Sequence, residues 1–142
     1  MNRFEFVRAG MFEHPLHHAC ELTCVSAADG QAHLTFTIND FSSNPQGTLH
    51  GGVLYALMDV ACFCAVGTRL PVAQHAVSVD VGTTLLRAGR LGEIVHLRTR
   101  VDRLGRTLAC MRAEAFVIRD GTEVMIATGH VNKAVISAPE PG

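Results

Sequence analysis

Apolar and polar positions divide this chain into one continuous apolar run and several stretches of period two. The run lies between Asn44 and Thr68 and reads NPQGTLHGGVLYALMDVACFCAVGT. It opens with turn formers (Asn44, Pro45, Gly47) and passes through His50-Gly51-Gly52. From Val53 to Val66 it carries a single charged side chain, Asp59. Apolar or small residues fall on every side, which predicts a helix with no wet face, buried all round. At about 14–16 residues it is too short to cross a bilayer.

Period-two segments surround this run. Leu22–Ala27 reads as a strand, Asp29-Gly30 as a hairpin turn, and Gln31–Ile38 as its partner, with Leu34, Phe36 and Ile38 on one face. Beyond Pro71, Ala76–Leu86 places Val77, Val79 and Val81 on one face and Ser78 and Asp80 on the other. After a turn at Gly89–Gly92, Glu93–Arg103 alternates Val95, Leu97, Thr99 and Val101 against His96, Arg98, Arg100 and Asp102. Leu104-Gly105-Arg106 is a short turn. Thr107–Arg119 and Glu123–Val135 are two more strands, joined by Asp120-Gly121. At the N-terminus, Asn2–Met11 predicts a short helix with Phe4, Val7 and Met11 on one side, a lid or packing arm. His14–His18, with Pro15, reads as a loop. The tail from Ser137, with Pro139 and Pro141, is expected to fray. One long helix and five or six strands, mostly linked by hairpins, predict an α+β fold in which an antiparallel sheet curves around the helix. The chain reads as one domain, 1–142, with an N-terminal arm (1–14) and a flexible tail (137–142).

Composition narrows the function. Hydrophobic residues make up 48% of the 142 positions and charged residues 18%. That excess of apolar residues points to a surface shared between subunits. A net charge of −1 disfavours general nucleic-acid binding. Met1–Phe12 contains Arg3, Glu5 and Arg8 and does not read as a secretory signal. Cys20, Cys24, Cys62, Cys64 and Cys110 form no C-x-x-C pair, and reduced thiols in a cytoplasmic protein are expected.

Two features could carry chemistry. Asp59 sits among Leu57, Met58, Val60, Ala61 and Cys62, where an unpaired carboxylate would be costly. Such a group is often retained for use. The plainer reading is an aspartate at a subunit boundary, paired with an arginine or a hydroxyl. His50-Gly51-Gly52 stands at the expected helix start, where backbone N–H groups lack intrahelical partners and carry the positive end of the dipole. These donors could hold a phosphate or a developing oxyanion, and glycine lets a ligand approach closely. The plainer reading is a tight turn or close packing. Gly51 and Asp59 are eight residues apart, about 12 Å along a helix. A reacting carbonyl needs both within roughly 3–3.5 Å. The two groups of one chain therefore cannot share a carbonyl. In a two-fold dimer, the helix start of one chain could face the carboxylate of the other.

The pattern Asn44-x-x-Gly47-Thr48-Leu49-His50-Gly51-Gly52, followed by Asp59, resembles the signature of hotdog-fold acyl-CoA thioesterases of the PaaI-like (phenylacetate degradation protein) type. Val77-Ser78-Val79-Asp80 and the turn at Leu104-Gly105-Arg106-Thr107 add to the likeness, which covers residues 15–135. The resemblance implies a sheet wrapped around a central helix, a double-hotdog dimer, and often a tetramer. It implies hydrolysis of an acyl-CoA thioester with no metal or other cofactor; the Gly, Ala and Cys residues along the helix would leave room for an aryl or medium-chain acyl group. Carried over, the Gly51 amide would polarise the thioester carbonyl. Asp59 of the other subunit would be general base or nucleophile. Asn44 would position thioester or water, His50 would shape the loop and could bond the substrate, and Ser78 would hold the attacking water near Asp59.

Further candidates are weaker. Gly52, Arg87, Arg103 and Arg106 could bind coenzyme A, the arginines through its phosphates; Arg90 also lies at a turn. A solvated rim is the plainer reading for each arginine. His17-His18 lack a partner at ligand spacing, so no metal is expected. Cys62 and Cys64 read as small core residues. Leu54, Tyr55, Met58 and the N-terminal arm could line an acyl pocket. Two rival functions stand beside the thioesterase. A dehydratase of the same fold needs a histidine–carboxylate pair that His50 and Asp59 do not offer. A non-catalytic acyl-CoA-binding dimer needs no base at all.

Overall fold

The computed structural model describes residues 1–138. Its elements are α1 (Arg3–Glu13), α2 (Pro15–Ala19), β1 (Thr23–Ala28), β2 (Gln31–Thr37), α3 (Gly51–Gly67), β3 (Gln74–Leu85), β4 (Ile94–Leu104), β5 (Leu108–Arg119) and β6 (Thr122–Ser137). The six strands form one antiparallel sheet in the order β1-β2-β4-β5-β6-β3. Its inner face wraps α3. Leu34 and Phe36 of β2, Val95 and Leu97 of β4, and Met111 and Ala113 of β5 pack with Leu54, Leu57, Met58 and Ala61 of the helix into one core. Each fully buried Leu or Phe contributes roughly 1.5–3 kcal/mol. Thr99 is the polar residue in this layer, and its hydroxyl donates to the helix carbonyl of Ala61 at 3.0 Å.

Turn chemistry fixes the hairpins. Asp29-Gly30 and Asp120-Gly121 all adopt positive φ (52° and 78°, 52° and 75°), the backbone of a two-residue hairpin loop. β3 closes the order at one edge, joined to β6 alone, although it follows α3 in the chain.

The N-terminal arm is the expected helix. Asn2 and Glu5 form a reciprocal cap, the Glu5 N–H donating to Asn2 Oδ1 at 2.8 Å and the Asn2 N–H to Glu5 Oε2 at 3.0 Å. The Arg3 N–H and guanidinium donate to the carbonyls of Leu70 and Val72, and Phe4 packs on Gly67, where a Cβ would lie 3.1 Å from the Phe4 Cβ. α1 is thereby docked on the far end of α3.

Four expectations are corrected. His14–His18 is not a loop: Pro15 at the first helical position and His14 as N-cap begin the short helix α2. The three valines of β3 do not share a face. Val79 is the extra residue of a bulge between Ser78 and Asp80, so the phase inverts there. Val77 and Val79 are exposed, while Val81 packs against the core. Ser137 is not frayed but pairs with Gln74, and the Ala138 N–H donates to the Ala73 carbonyl at 2.8 Å; the rest of the expected tail, 139–142, lies outside the described residues. Finally, α3 is buried all round only in its second half. Ala61–Gly67 are buried, but Gly52, Tyr55, Ala56, Asp59 and Val60 form a partly open stripe at helical spacing.

Candidate active site

Asp59 is on this open stripe, with its side chain 34% exposed, and it is not unpaired. The Ser78 hydroxyl of β3 donates to Asp59 Oδ1. The Lys133 ammonium of β6 donates to the same oxygen at 3.0 Å and to Ser78 Oγ at 2.7 Å. Ser78 and Lys133 are directly opposite each other in the β3–β6 ladder. Lys133 is only 4% exposed and lies 5.8 Å above the Phe63 ring. Sequence reasoning missed this lysine. The signal was in the alternation: Val131, Lys133 and Val135 share a phase, and the two valines pack against the core, so the lysine between them points at the helix.

These three residues stand in the wall of a cavity of about 840 Å³. Its lining is mostly apolar: Phe6, Val7 and Met11 of α1, and Val60 and Phe63 of α3. The N-terminal arm is a wall of this cavity. Of the other expected lining residues, Met58 is core instead, packed under Gly129, and Tyr55 is on the surface. His75 of β3 also faces the cavity, and burial, then the nearby Arg3 and Lys133 charges, hold its imidazole below the usual histidine range.

Gly51 lines a different, smaller cleft of about 410 Å³ with Asn44, Leu54, Leu85 and Arg87. The helix start there is built by His50, whose Nδ1 accepts the Gly52 N–H at 3.0 Å. That capping bond occupies the Gly52 amide. A Cβ on Gly52 would stand 2.9 Å from the His50 ring, so this glycine answers to packing. No acceptor among the described residues takes the Gly51 N–H. Asn44 organises the preceding loop: Oδ1 accepts the Gln46 and Thr48 N–H groups, each at 3.0 Å, and Nδ2 donates to Thr48 Oγ1 at 2.7 Å. Gly47 serves the same loop with φ +78°. Arg87 is exposed at the rim and donates to the Met125 carbonyl at 2.8 Å. Arg103 and Arg106 sit exposed at the β4–β5 turn and line neither cavity.

The structure thus divides the expected site into two sets within one chain. Asp59 and Ser78 face one cavity; Gly51, Asn44 and Arg87 face another. The His50 ring is turned onto its own helix start, so it makes no pair with Asp59 of the same chain. All five thiols are free, and burial pushes Cys62 up to about 12 and Cys64 upward as well, which makes both poor nucleophiles. Among the described residues no three His, Cys, Asp or Glu side chains cluster to hold a metal ion.

Residues 46–124 match the family model described as the thioesterase superfamily, more than half of the chain. The chain belongs to that family. Within the thioesterase superfamily it is 30% identical over 114 residues to acyl-coenzyme A thioesterase 13 of Homo sapiens, covering 80% of this chain and 79% of that one. It matches 64% of the length of an esterase-named relative from Schizosaccharomyces pombe, just under two thirds, at 30% identity. Among solved structures, a thioesterase family protein from Silicibacter pomeroyi superposes with a TM-score of 0.85 at 24% identity, covering 93% of this chain and 96% of that one. A single-residue variant of the phenylacetic acid degradation protein PaaI from Thermus thermophilus superposes with a TM-score of 0.74 at 28% identity, over 84% and 97%. The fold is the hotdog that the resemblance implies, with six strands around α3.

Proposed function

We propose that this member of the thioesterase superfamily hydrolyses acyl-CoA thioesters, with each reaction centre shared by two chains. The observation that carries the reading is the separation just described. A carboxylate prepared by Ser78 stands in one cavity, and an amide donor without a protein acceptor among the described residues stands in another. Either alone is half of a hydrolytic site. A two-fold dimer that brings the Gly51 amide of one chain to Asp59 of the other would complete two sites. The terminal strand β3 supports such pairing, because it is joined to β6 alone and carries the exposed Val77, Val79 and Leu85. The name of the human relative supports acyl-CoA as the substrate class.

The chemistry needs few groups because a thioester is already activated. The carbonyl oxygen would accept the Gly51 N–H, which stabilises the charge that develops there. Asp59 would take a proton from water held near Ser78, and the resulting hydroxide would add to the carbonyl carbon. Collapse of the tetrahedral intermediate breaks the C–S bond, and the thiolate recovers the proton from Asp59. In the covalent variant the carboxylate itself adds, the thiolate leaves, and water hydrolyses the mixed anhydride. The apolar cavity beneath α1 supports an aryl or medium-chain acyl group. Arg87, exposed beside the Gly51 cleft, would meet a coenzyme A phosphate; Arg103 and Arg106 would serve only where the nucleotide reaches the β4–β5 turn.

A panel of acyl-CoA thioesters assayed by release of free thiol tests the reading. Aryl-acetyl and medium-chain substrates are expected to lead, and Asp59→Asn to lose kcat by orders of magnitude while staying dimeric. A wild-type protein that binds these esters without cleaving any would establish the non-catalytic rival instead.

A further inference from the structure

We propose that Lys133 is the positioning residue of this site: with Ser78 it pins Oδ1 of Asp59, so that Oδ2 is the oxygen presented to water or thioester. The inference rests on the reading of Asp59 as base or nucleophile and goes beyond it by assigning a lysine and a specific oxygen. Three elements converge on one atom. α3 supplies the carboxylate, β3 the hydroxyl and β6 the ammonium, and both donors use Oδ1. Among the described residues no donor reaches Oδ2. A carboxylate on a partly open helix face is free to turn about its Cβ–Cγ bond and interchange its oxygens. Two donors on one oxygen remove that freedom, and a third bond, Lys133 to Ser78 at 2.7 Å, ties the donors to each other. The bulge at Val79 follows Ser78 at once and lets the strand present Ser78 and then Val81 to the helix.

Stability alone does not account for the lysine. A 4% exposed ammonium must give up its hydration, and replacing such an ion pair as a whole by apolar residues is often neutral or stabilising for the fold. The Phe63 face lies near it, at 5.8 Å, and compensates little. The Lys133 ammonium spends its hydrogen bonds on Asp59 Oδ1 and Ser78 Oγ, so its assigned role is through Asp59 and not on the substrate. Small displacements of a reacting group of about 1 Å can cost on the order of 10²-fold in rate. That sets the size of the effect expected when the clamp is removed.

The test compares Lys133→Met, Lys133→Arg, Ser78→Ala and the double variant Ser78→Ala/Lys133→Met with wild type, on the best substrate of the panel. Lys133→Met is expected to lose about 10²-fold in kcat with KM nearly unchanged; its melting temperature should fall only modestly, because the Asp59 left without its countercharge is 34% exposed. Lys133→Arg should recover part of kcat. The double variant should be about as slow as the slower single one, because both residues act on one oxygen. A Lys133→Met enzyme with wild-type kcat overturns the inference while leaving the thioesterase reading intact. So does a variant that loses stability, KM and kcat together without recovery in Lys133→Arg, which marks a structural lysine. If wild type cleaves no thioester, the functional reading falls and takes this inference with it.

Discussion

A proline at position 51 offers a direct test of the shared site. Gly51 is the first residue of α3, where proline is well tolerated because its missing N–H has no helical partner. The preceding residue, His50, already holds φ −68° and ψ 121°, the extended region that a following proline demands. A Cβ at 51 would meet only the tip of Leu85, 3.1 Å away, and Leu85 is an exposed side chain able to move. Gly51→Pro therefore deletes one hydrogen-bond donor and sets the ring Cδ in its place, so the site loses at least what that donor supplied. Loss of one oxyanion donor costs roughly 2.7–4 kcal/mol, or about 10²–10³ in kcat. Asp59→Asn should be crippled as well. In a mixed dimer of the two variants, however, one site carries both lesions and the other carries none. Random assortment makes about half of all dimers mixed, each with one intact site, so about a quarter of wild-type activity should return. The assay is thiol release from the two variants alone and after co-expression. If co-expression restores nothing although mixed dimers form, each chain holds its own complete site and the geometric argument fails.

Three further outcomes are expected. In single-turnover hydrolysis in ¹⁸O-water, label found in the Asp59 carboxylate would establish the covalent variant; label confined to the released acid fits both direct attack by water and an anhydride opened at the substrate acyl carbon, and trapping with hydroxylamine separates them, an Asp59 hydroxamate forming only from the anhydride. Gly67→Val should force α1 off the end of α3, because its Cβ would already lie 3.1 Å from Phe4; a loss of about 1–3 kcal/mol is expected, read as a lower melting temperature at fixed protein concentration. Burial, and then the nearby His96 and Arg98, hold His33 below the usual histidine range, and its Nε2 lies 2.9 Å from His96 Nδ1. The folded state thus resists a proton that the unfolded chain accepts near pH 6.5, so stability should fall as pH drops below that value toward the lowered folded one. His33→Gln should flatten that slope in thermal melts taken from about pH 7.5 to 5.5, with His75, also held low, accounting for part of what remains; an unchanged slope would remove His33 from the explanation.

The strands were legible because most inner positions are apolar and the hairpins at Asp29-Gly30 and Asp120-Gly121 carry their own turn residues. Asp29-Gly30 and Asp120-Gly121 sit where their pattern predicted. The helix was legible from its uninterrupted apolar run, and the division of Gly51 from Asp59 from helical rise alone. What escaped was whatever depends on one inserted residue or on partners distant in sequence. Nothing in Val77-Ser78-Val79-Asp80 marks Val79 as a bulge; that follows from the pairing with β6. The alternation puts Lys133 in phase with Val131 and Val135, but its partners stay hidden until its register opposite Ser78 is known. Asp59 looked uncompensated because its countercharge comes from a strand 74 residues away. Arg87, Arg103 and Arg106 share a charge and a turn setting, and sequence could not tell the one beside a cleft from the two that are not.

The uneven exposure of α3 has a consequence for engineering. Its rear half, Ala61–Gly67, touches protein on every side, whereas Gly52, Tyr55, Ala56 and Val60 at the front do not. Randomised libraries at Tyr55, Ala56 and Val60 should yield folded proteins, with altered substrate appetite arising at Val60, which lines the cavity. The same diversity introduced at the rear should yield mostly insoluble chains. One helix therefore keeps what can be retuned apart from what must be left alone.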